Sequence, residues 1–320
     1  MTKGEQLAVC AEYQLGEPLA CNPLGGTRNR NFLLTTTTGK FVVRDRYVGY
    51  RDPARVAFDH HALTFLHERS VPVVAPLRSR GGETLWQQGE RMWEVFPAVK
   101  GRQFRDADPD DIRALAKALA KFHLAGRDFD ATKSPRKLGP RGETDPRELF
   151  DLVAKLPSAK VKRYQDWIKS AELCDQTFSC LPQTLIHGDV QPANILIDES
   201  HVTALVDLDW CDWRPRVYDL AFTILLCCAT HETPIDGGDI WSLSQPPVVQ
   251  ADLARMFLET YEEQGWPLSP EENSALRPQI ILSWCHVRLA GAMKVEPSRR
   301  AEFLARPPHD LTALFPDGIS

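Results

Sequence analysis

The sequence predicts an α+β chain of two lobes: a small, mainly antiparallel β-rich lobe over residues 1–97 and a larger helical lobe over 98–320. Three observations carry this. Residues 32–44 hold two strand-like runs around a short turn containing Gly39. Residues 84–96 repeat that pattern around Gly89. After Pro97 the apolar period lengthens to about 3.6, beginning with an amphipathic stretch at 111–124.

The elements follow in order. Phe32–Thr36 and Phe41–Arg44 read as a hairpin. Arg55–Arg69 reads as a helix, because Phe58, Ala62, Phe65 and Leu66 share a face, and the prolines at 72 and 76 end it. Thr84–Gln87 and Arg91–Phe96 give two further strands. Asp111–Leu124 is a helix with Ile112, Leu115, Leu119 and Phe122 on one stripe. Residues 128–147, rich in Gly, Pro and charge, read as a loop, and 147–178 as polar helix. Two short apolar runs flank a polar loop over 184–198. Further helices are expected near 216–229, 250–264 and 274–294.

Composition narrows the function. With 43% hydrophobic and 25% charged residues, 320 residues suffice for a sizeable core. No apolar run approaches the roughly 20 residues of a membrane-spanning helix. The N-terminal stretch lacks the basic start and apolar run of a signal peptide. A cytoplasmic protein without a membrane partner is therefore expected. A net charge of −5 argues against a nucleic-acid partner. The 8 cysteines form no C-x-x-C pair and no zinc spacing, and read as reduced thiols.

The chemistry concentrates in Leu185–Asp198. An apolar strand leads into His187-Gly188-Asp189, and Asn194 follows just before Ile195-Leu196-Ile197. A loop pinned between two buried strands holds a carboxylate and an amide toward one cavity. Asp189 is then placed to orient a substrate hydroxyl and accept its proton. The Asn194 amide oxygen is a hard-cation ligand. A second strand-like run, Val202–Val206, ends in Asp207-Leu208-Asp209-Trp210. Asp207 and Asn194 are the candidates for Mg²⁺ bound to a nucleoside triphosphate.

This order of motifs, completed by Tyr218-Asp219-Leu220-Ala221, resembles the aminoglycoside phosphotransferase and choline kinase superfamily, and the layout of the N-terminal lobe with the run Ala116–Gly126 resembles its homoserine kinase-like members. The resemblance implies the protein-kinase-like fold and an ATP- and Mg²⁺-dependent kinase acting on a small-molecule hydroxyl. It makes Asp189 the catalytic base, Asn194 and Asp207 the metal ligands, and His187 and Asp219 organisers of the catalytic loop. Gly25, Gly26, Thr27, Arg28 and Asn29 resemble the phosphate loop. Arg44 falls where the family carries its nucleotide-binding cation, with Asp59 as its pairing carboxylate. Trp93, Glu94 and Val95 resemble the hinge whose backbone binds adenine.

Asp209, Trp210, Asp212 and Trp213 are candidates to line the acceptor pocket, where aromatic and acidic groups suit an amine. His123 is expected at the surface near a helix end. Arg288 and Lys294 are weighed as carboxylate binders against ordinary surface positions. A homoserine-like amino acid or an amino alcohol is the favoured acceptor. An aminoglycoside kinase is the alternative, and a silent kinase-fold nucleotide binder the alternative of another class.

Overall fold

The computed structural model describes residues 1–25, 29–130, 132, 166, 169, 180–233, 239–245 and 247–305. The expected polar helix over 147–178, apart from residues 166 and 169, and most of the loop over 128–147 lie outside the described residues, as do Gly26, Thr27 and Arg28.

The chain opens with a helix, α1 (Lys3–Tyr13), started by a capping box in which Thr2 and Glu5 exchange hydrogen bonds. Its apolar side, Val9, Cys10 and Tyr13, covers a five-stranded antiparallel sheet. The strands are β1 (Pro18–Leu24), β2 (Arg30–Thr36), β3 (Lys40–Asp45), β4 (Trp86–Gln88) and β5 (Arg91–Pro97), in spatial order β1-β2-β3-β5-β4. β2 and β3 form the expected hairpin, with Leu33 opposite Val42. α2 (Pro53–Glu68) begins two residues before the expected start, because Asp52 accepts from Ala54 N and Pro53 pre-sets the first turn.

Past β5 the chain turns into a strand of two residues, β6 (Arg102–Gln103), and then α3 (Pro109–Gly126). Asp108 caps α3 by accepting from Asp110 N and Asp111 N. Ile112, Leu115, Leu119 and Phe122 are fully buried, and each such side chain stabilises by roughly 1.5–3 kcal/mol. They join the large core formed with β7 (Gln183–Ile186), β8 (Ile195–Asp198), β9 (His201–Leu205) and α4 (Val217–Cys227). β10 (Asp212–Pro215) pairs antiparallel with β7. β6, β8 and β9 form a small sheet, and β11 (Ala229–Thr230) pairs with β12 (Val248–Val249). α5 (Ala251–Glu262), α6 (Pro270–Met293) and α7 (Arg300–Ala305) complete the chain. α4 packs on α6, and α3 packs on α5. Among the described residues no helix is long and apolar enough to cross a membrane.

Candidate active site

β7 and β8 are short and bury Leu185, Ile186, Ile195 and Ile197 on either side of the loop, so they pin it between them. Asp219, at the start of α4, does the rest. Its Oδ2 accepts from His187 N at 2.6 Å, and its Oδ1 from Gly188 N at 2.8 Å. His123 donates to the same carboxylate through Nε2 at 3.0 Å, its Nδ1 lying 2.8 Å from the Tyr261 hydroxyl. His123 is thus fully buried in the core, not at the surface as expected. Its partners arrive from α4 and α5. Burial, outweighing Asp219, lowers its pKa.

His187 is held in one tautomer. Its Nδ1 accepts from Asp189 N at 3.3 Å, so Nε2 carries the proton and donates to Val206 O at 3.1 Å. Burial pushes its pKa down, which suits an organiser rather than a proton carrier. Asp189 Oδ2 accepts from Gln191 Nε2 and from Asn194 Nδ2, each at 2.9 Å. Among the described residues Asp189 Oδ1 accepts no hydrogen bond. Burial, then the nearby Asp207 charge, raise the Asp189 carboxyl to about 7 against the pull of those amides and Lys294. Asn194 spends Nδ2 on Asp189, so its Oδ1 is the atom that could hold a metal.

Asp207 follows β9 with φ +63°, a left-handed conformation that turns its side chain out of the strand. The carboxylate is 40% exposed and meets Arg44 Nη2 at 3.4 Å. Asp209 is buried and points to the sheet. It accepts from Asn29 Nδ2 at 2.8 Å, Arg44 Nη1 at 3.0 Å and Arg46 Nη2 at 3.3 Å. It is therefore committed away from an acceptor pocket. Asn29 is committed too, since its Oδ1 accepts from Tyr47 N. Gly25 is exposed, and its carbonyl accepts from Asn31 Nδ2 at 3.3 Å.

The expected Arg44–Asp59 pairing gives way to a different arrangement. Arg44 faces Asp207, Asp209 and, at 3.9 Å, Glu94. Asp59 instead takes Arg46 at 3.4 Å and Arg55 at 2.9 Å. Glu94 is the carboxylate at the centre, 2.7 Å from Arg46 Nε and 2.8 Å from His60 Nε2. Burial alone would raise Glu94, but Arg46, His60 and Arg44 hold it at about 2. Sequence reasoning missed Arg46, Arg55 and the Glu94 side chain. The available signal was that Arg44, near the end of β3, and Arg46, just past it, stand two residues apart and so fall on one face.

Trp93, Glu94 and Val95 lie inside the sheet, paired with β3 as Asp45↔Trp93, Arg44↔Glu94 and Val43↔Val95. Trp93 O accepts from the Tyr13 hydroxyl, and Val95 O from Leu77 N. The carbonyls of Trp93 and Val95 are thus already engaged, and Glu94 is paired with β3. Ala98 N donates to Lys40 O, which makes Lys40/Ala98 and Val42/Phe96 the hydrogen-bonded pairs. The Pro97 carbonyl consequently faces away from β3, on the same edge as that of Val95.

Trp210 packs on the catalytic loop. A Cβ on Gly188 would lie 2.2 Å from Trp210 O. The Trp210 ring stands edge-on to His286 at 6.2 Å. Trp213 packs on Phe129 at 6.5 Å, as a core anchor. Asp212 accepts from Arg214 Nε at 3.2 Å and from Trp213 N at 2.9 Å. Arg288 is fully buried and donates to Ser244 O and, at 2.7 Å, to Phe303 O. It is a structural tie, neither a surface group nor a carboxylate binder. Lys294 is exposed at the end of α6.

The sequence profile of the APH phosphotransferase enzyme family matches residues 21–266. A homoserine kinase of Afipia carboxidovorans is 27% identical over 267 residues, covering 82% of this chain and 76% of that protein. A homoserine kinase of Nitrobacter winogradskyi is 29% identical over 271 residues, with coverage of 82% and 76%. A microcompartment-associated aminopropanol kinase superposes with a TM-score of 0.70 at 15% identity, covering 94% of each chain. An amicoumacin kinase in complex with AMP-PNP and Ca²⁺ superposes with a TM-score of 0.65 at 14% identity, covering 98% of this chain and 90% of that one. The organised His187–Asn194 loop, the Asp207 strand end and the extent of the match agree: the chain has the protein-kinase-like fold and belongs to the APH phosphotransferase enzyme family.

Proposed function

We propose that the chain transfers the γ-phosphoryl group of ATP, with Mg²⁺, to a hydroxyl of a small molecule, a homoserine-like amino acid or an amino alcohol being the favoured acceptor. The observation that carries this is the state of Asp189. Two amides hold its Oδ2, while among the described residues its Oδ1 accepts no hydrogen bond. A carboxylate so held, with a pKa of about 7, is poised as a general base.

The residues present fit the metal. Asn194 Oδ1 and the Asp207 carboxylate are hard oxygen donors, and Mg²⁺ takes one or two such groups plus phosphate and water. Mg²⁺ bound there would neutralise charge on the phosphates. The boundary of the nucleotide lobe falls at residue 97. Adenine would bond the edge at the Pro97 carbonyl and the Val99 N–H. Arg44 would leave Asp207 for the phosphates, and the described ends of the glycine loop, Gly25 and Asn29, belong to the same nucleotide side.

In the reaction the acceptor oxygen attacks the γ-phosphorus. The bond from that phosphorus to the β,γ-bridging oxygen breaks, and ADP leaves. The acceptor proton passes to Asp189 Oδ1. Asp219 keeps the loop in place, and positioning supplies most of the rate.

A coupled ADP-release assay with homoserine, aminopropanol, choline and aminoglycosides tests this. Asp189→Ala is expected to lose about 100- to 10,000-fold of turnover while still binding nucleotide. Near wild-type turnover in that variant would sink the assignment. Nucleotide binding with no turnover on any acceptor would favour a silent kinase fold.

A further inference from the structure

β10 runs beside β7, the strand that delivers the catalytic loop, and carries Arg214. Arg214 uses only part of its guanidinium. Nε donates to Asp212 Oδ2 at 3.2 Å, and the guanidinium carbon stands 5.5 Å from the Tyr218 ring centre. Among the described residues Nη1 and Nη2 make no hydrogen bond. Asp212 thus fixes the fork from behind and leaves its outer edge free, at a residue only one-third exposed.

A second uncommitted group faces the same region. His286, on α6, touches Trp210, and Trp210 lies against Gly188 beside Asp189. Among the described residues neither ring nitrogen of His286 has a hydrogen-bond partner. Burial, then the charges of Arg214 and Lys294, push His286 down to about 4, so the ring is neutral and offers one donor and one acceptor. Lys294 follows α6 two turns after His286, and a helical side chain leans back toward the N-terminus. Its charge also acts on Asp189.

The sequence suggested an acidic pocket for an amine around Asp212. The geometry reverses that, because Asp212 is committed to Arg214 and to Trp213 N. What remains is the outer edge of the Arg214 fork, with the neutral His286 ring close enough to feel the charges of Arg214 and Lys294. A planar fork matches a carboxylate in a bidentate manner, and an acceptor whose only charge is an ammonium meets two like charges with nothing to offset them.

We infer that Arg214, supported by His286 and Lys294, forms a subsite for a carboxylate of the acceptor, so that the substrate is a hydroxylated carboxylic acid rather than an amino alcohol or an amino sugar. This rests on the phosphotransfer reading above and deepens it.

The test compares homoserine with 3-aminopropan-1-ol, which is homoserine without its carboxylate. Wild type is expected to favour homoserine by about 100-fold in kcat/KM. Arg214→Gln should raise the KM for homoserine by a similar factor, with kcat within a few-fold and the KM for ATP unchanged. Arg214→Lys should recover only part, because it keeps the charge and loses the fork. An unchanged KM for ATP shows that the variants are folded. Equal or better turnover of aminopropanol by wild type, or an unchanged homoserine KM in Arg214→Gln, would overturn the subsite. Should no acceptor release ADP, the phosphotransfer reading fails by itself. Calorimetry of homoserine against aminopropanol with AMP-PNP present then decides the subsite. Homoserine binding that Arg214→Gln abolishes supports it, and equal or absent binding of both overturns it.

Discussion

Asn29 Nδ2 donates to Asp209 Oδ2 at 2.8 Å, joining the end of the glycine loop to a residue two positions past the metal-ligand candidate Asp207. The same carboxylate takes Arg44 and Arg46 from the sheet side, and its backbone carbonyl takes Arg55 Nη2 at 2.7 Å. Four N-terminal residues therefore converge on Asp209. Asn29→Ala deletes its bonds to Asp209 and to Tyr47 N, the first of them to a charged partner. It is expected to destabilise the fold by about 2–3 kcal/mol. The KM for ATP should rise about tenfold, with the KM for the acceptor unmoved. An equal rise in both constants would count against a role confined to the nucleotide side.

Asp219 acts on the other side of the loop. It holds two successive backbone N–H groups and His123, all buried. Asp219→Ala leaves those donors without their acceptor, at a cost of about 4 kcal/mol. Asp189 then loses its placement, and a displacement of about 1 Å costs roughly 100-fold in kcat. Thermal unfolding and steady-state kinetics on the one variant check both. Full activity with the stability loss alone would separate Asp219 from the positioning of Asp189.

The reach of the sequence follows from how local each feature is. His187, Asp189 and Asn194 lie within eight residues between two apolar strands, so their chemistry and spacing were visible together. Arg44 was visible as a cation but its partners were not. Glu94 reaches it across the β3–β5 register, and the sequence offered Glu94 only as hinge backbone. His123 meets Asp219 and Tyr261 over separations of 96 and 138 residues, which no local pattern encodes. α1 had a readable capping box at Thr2 and Glu5, although its apolar stripe is short. β1 carries Pro18 and Pro23, which read against a strand and are tolerated because it lies at the sheet edge.

Gly188 has φ +79°, and a Cβ there would fall 2.2 Å from Trp210 O and 3.0 Å from Trp210 Cβ. Glycine is required both by the left-handed backbone and by the close approach. Gly188→Ala must push Trp210 away or twist the loop. The expected cost is about 2–3 kcal/mol, with kcat falling by about 100-fold or more. Since Trp210 also touches His286, the tryptophan fluorescence should change as well. A variant with native fluorescence and turnover would show that the loop absorbs the methyl group without moving.

Glu94 gives the fold a dependence on acid. Burial would raise this carboxyl, yet Arg46 at 2.7 Å, His60 at 2.8 Å and Arg44 hold it at about 2, below its ordinary 4.5. Between those values the unfolded chain binds a proton at this position that the folded chain does not. The contribution is therefore complete above about pH 4.5, and it is lost as pH falls through about 2. Glu94→Gln keeps the shape but removes the charge that Arg46 faces. At pH 7 it should cost about 2–3 kcal/mol, the worth of hydrogen bonds to a charged group. The gap in Tm between wild type and Glu94→Gln should hold from pH 8 to pH 5 and then narrow as the pH is lowered toward 3. A gap that stayed constant across that range would mean that Arg46 is held by Asp59 and Asp209 alone, with Glu94 contributing only its hydrogen-bonding shape.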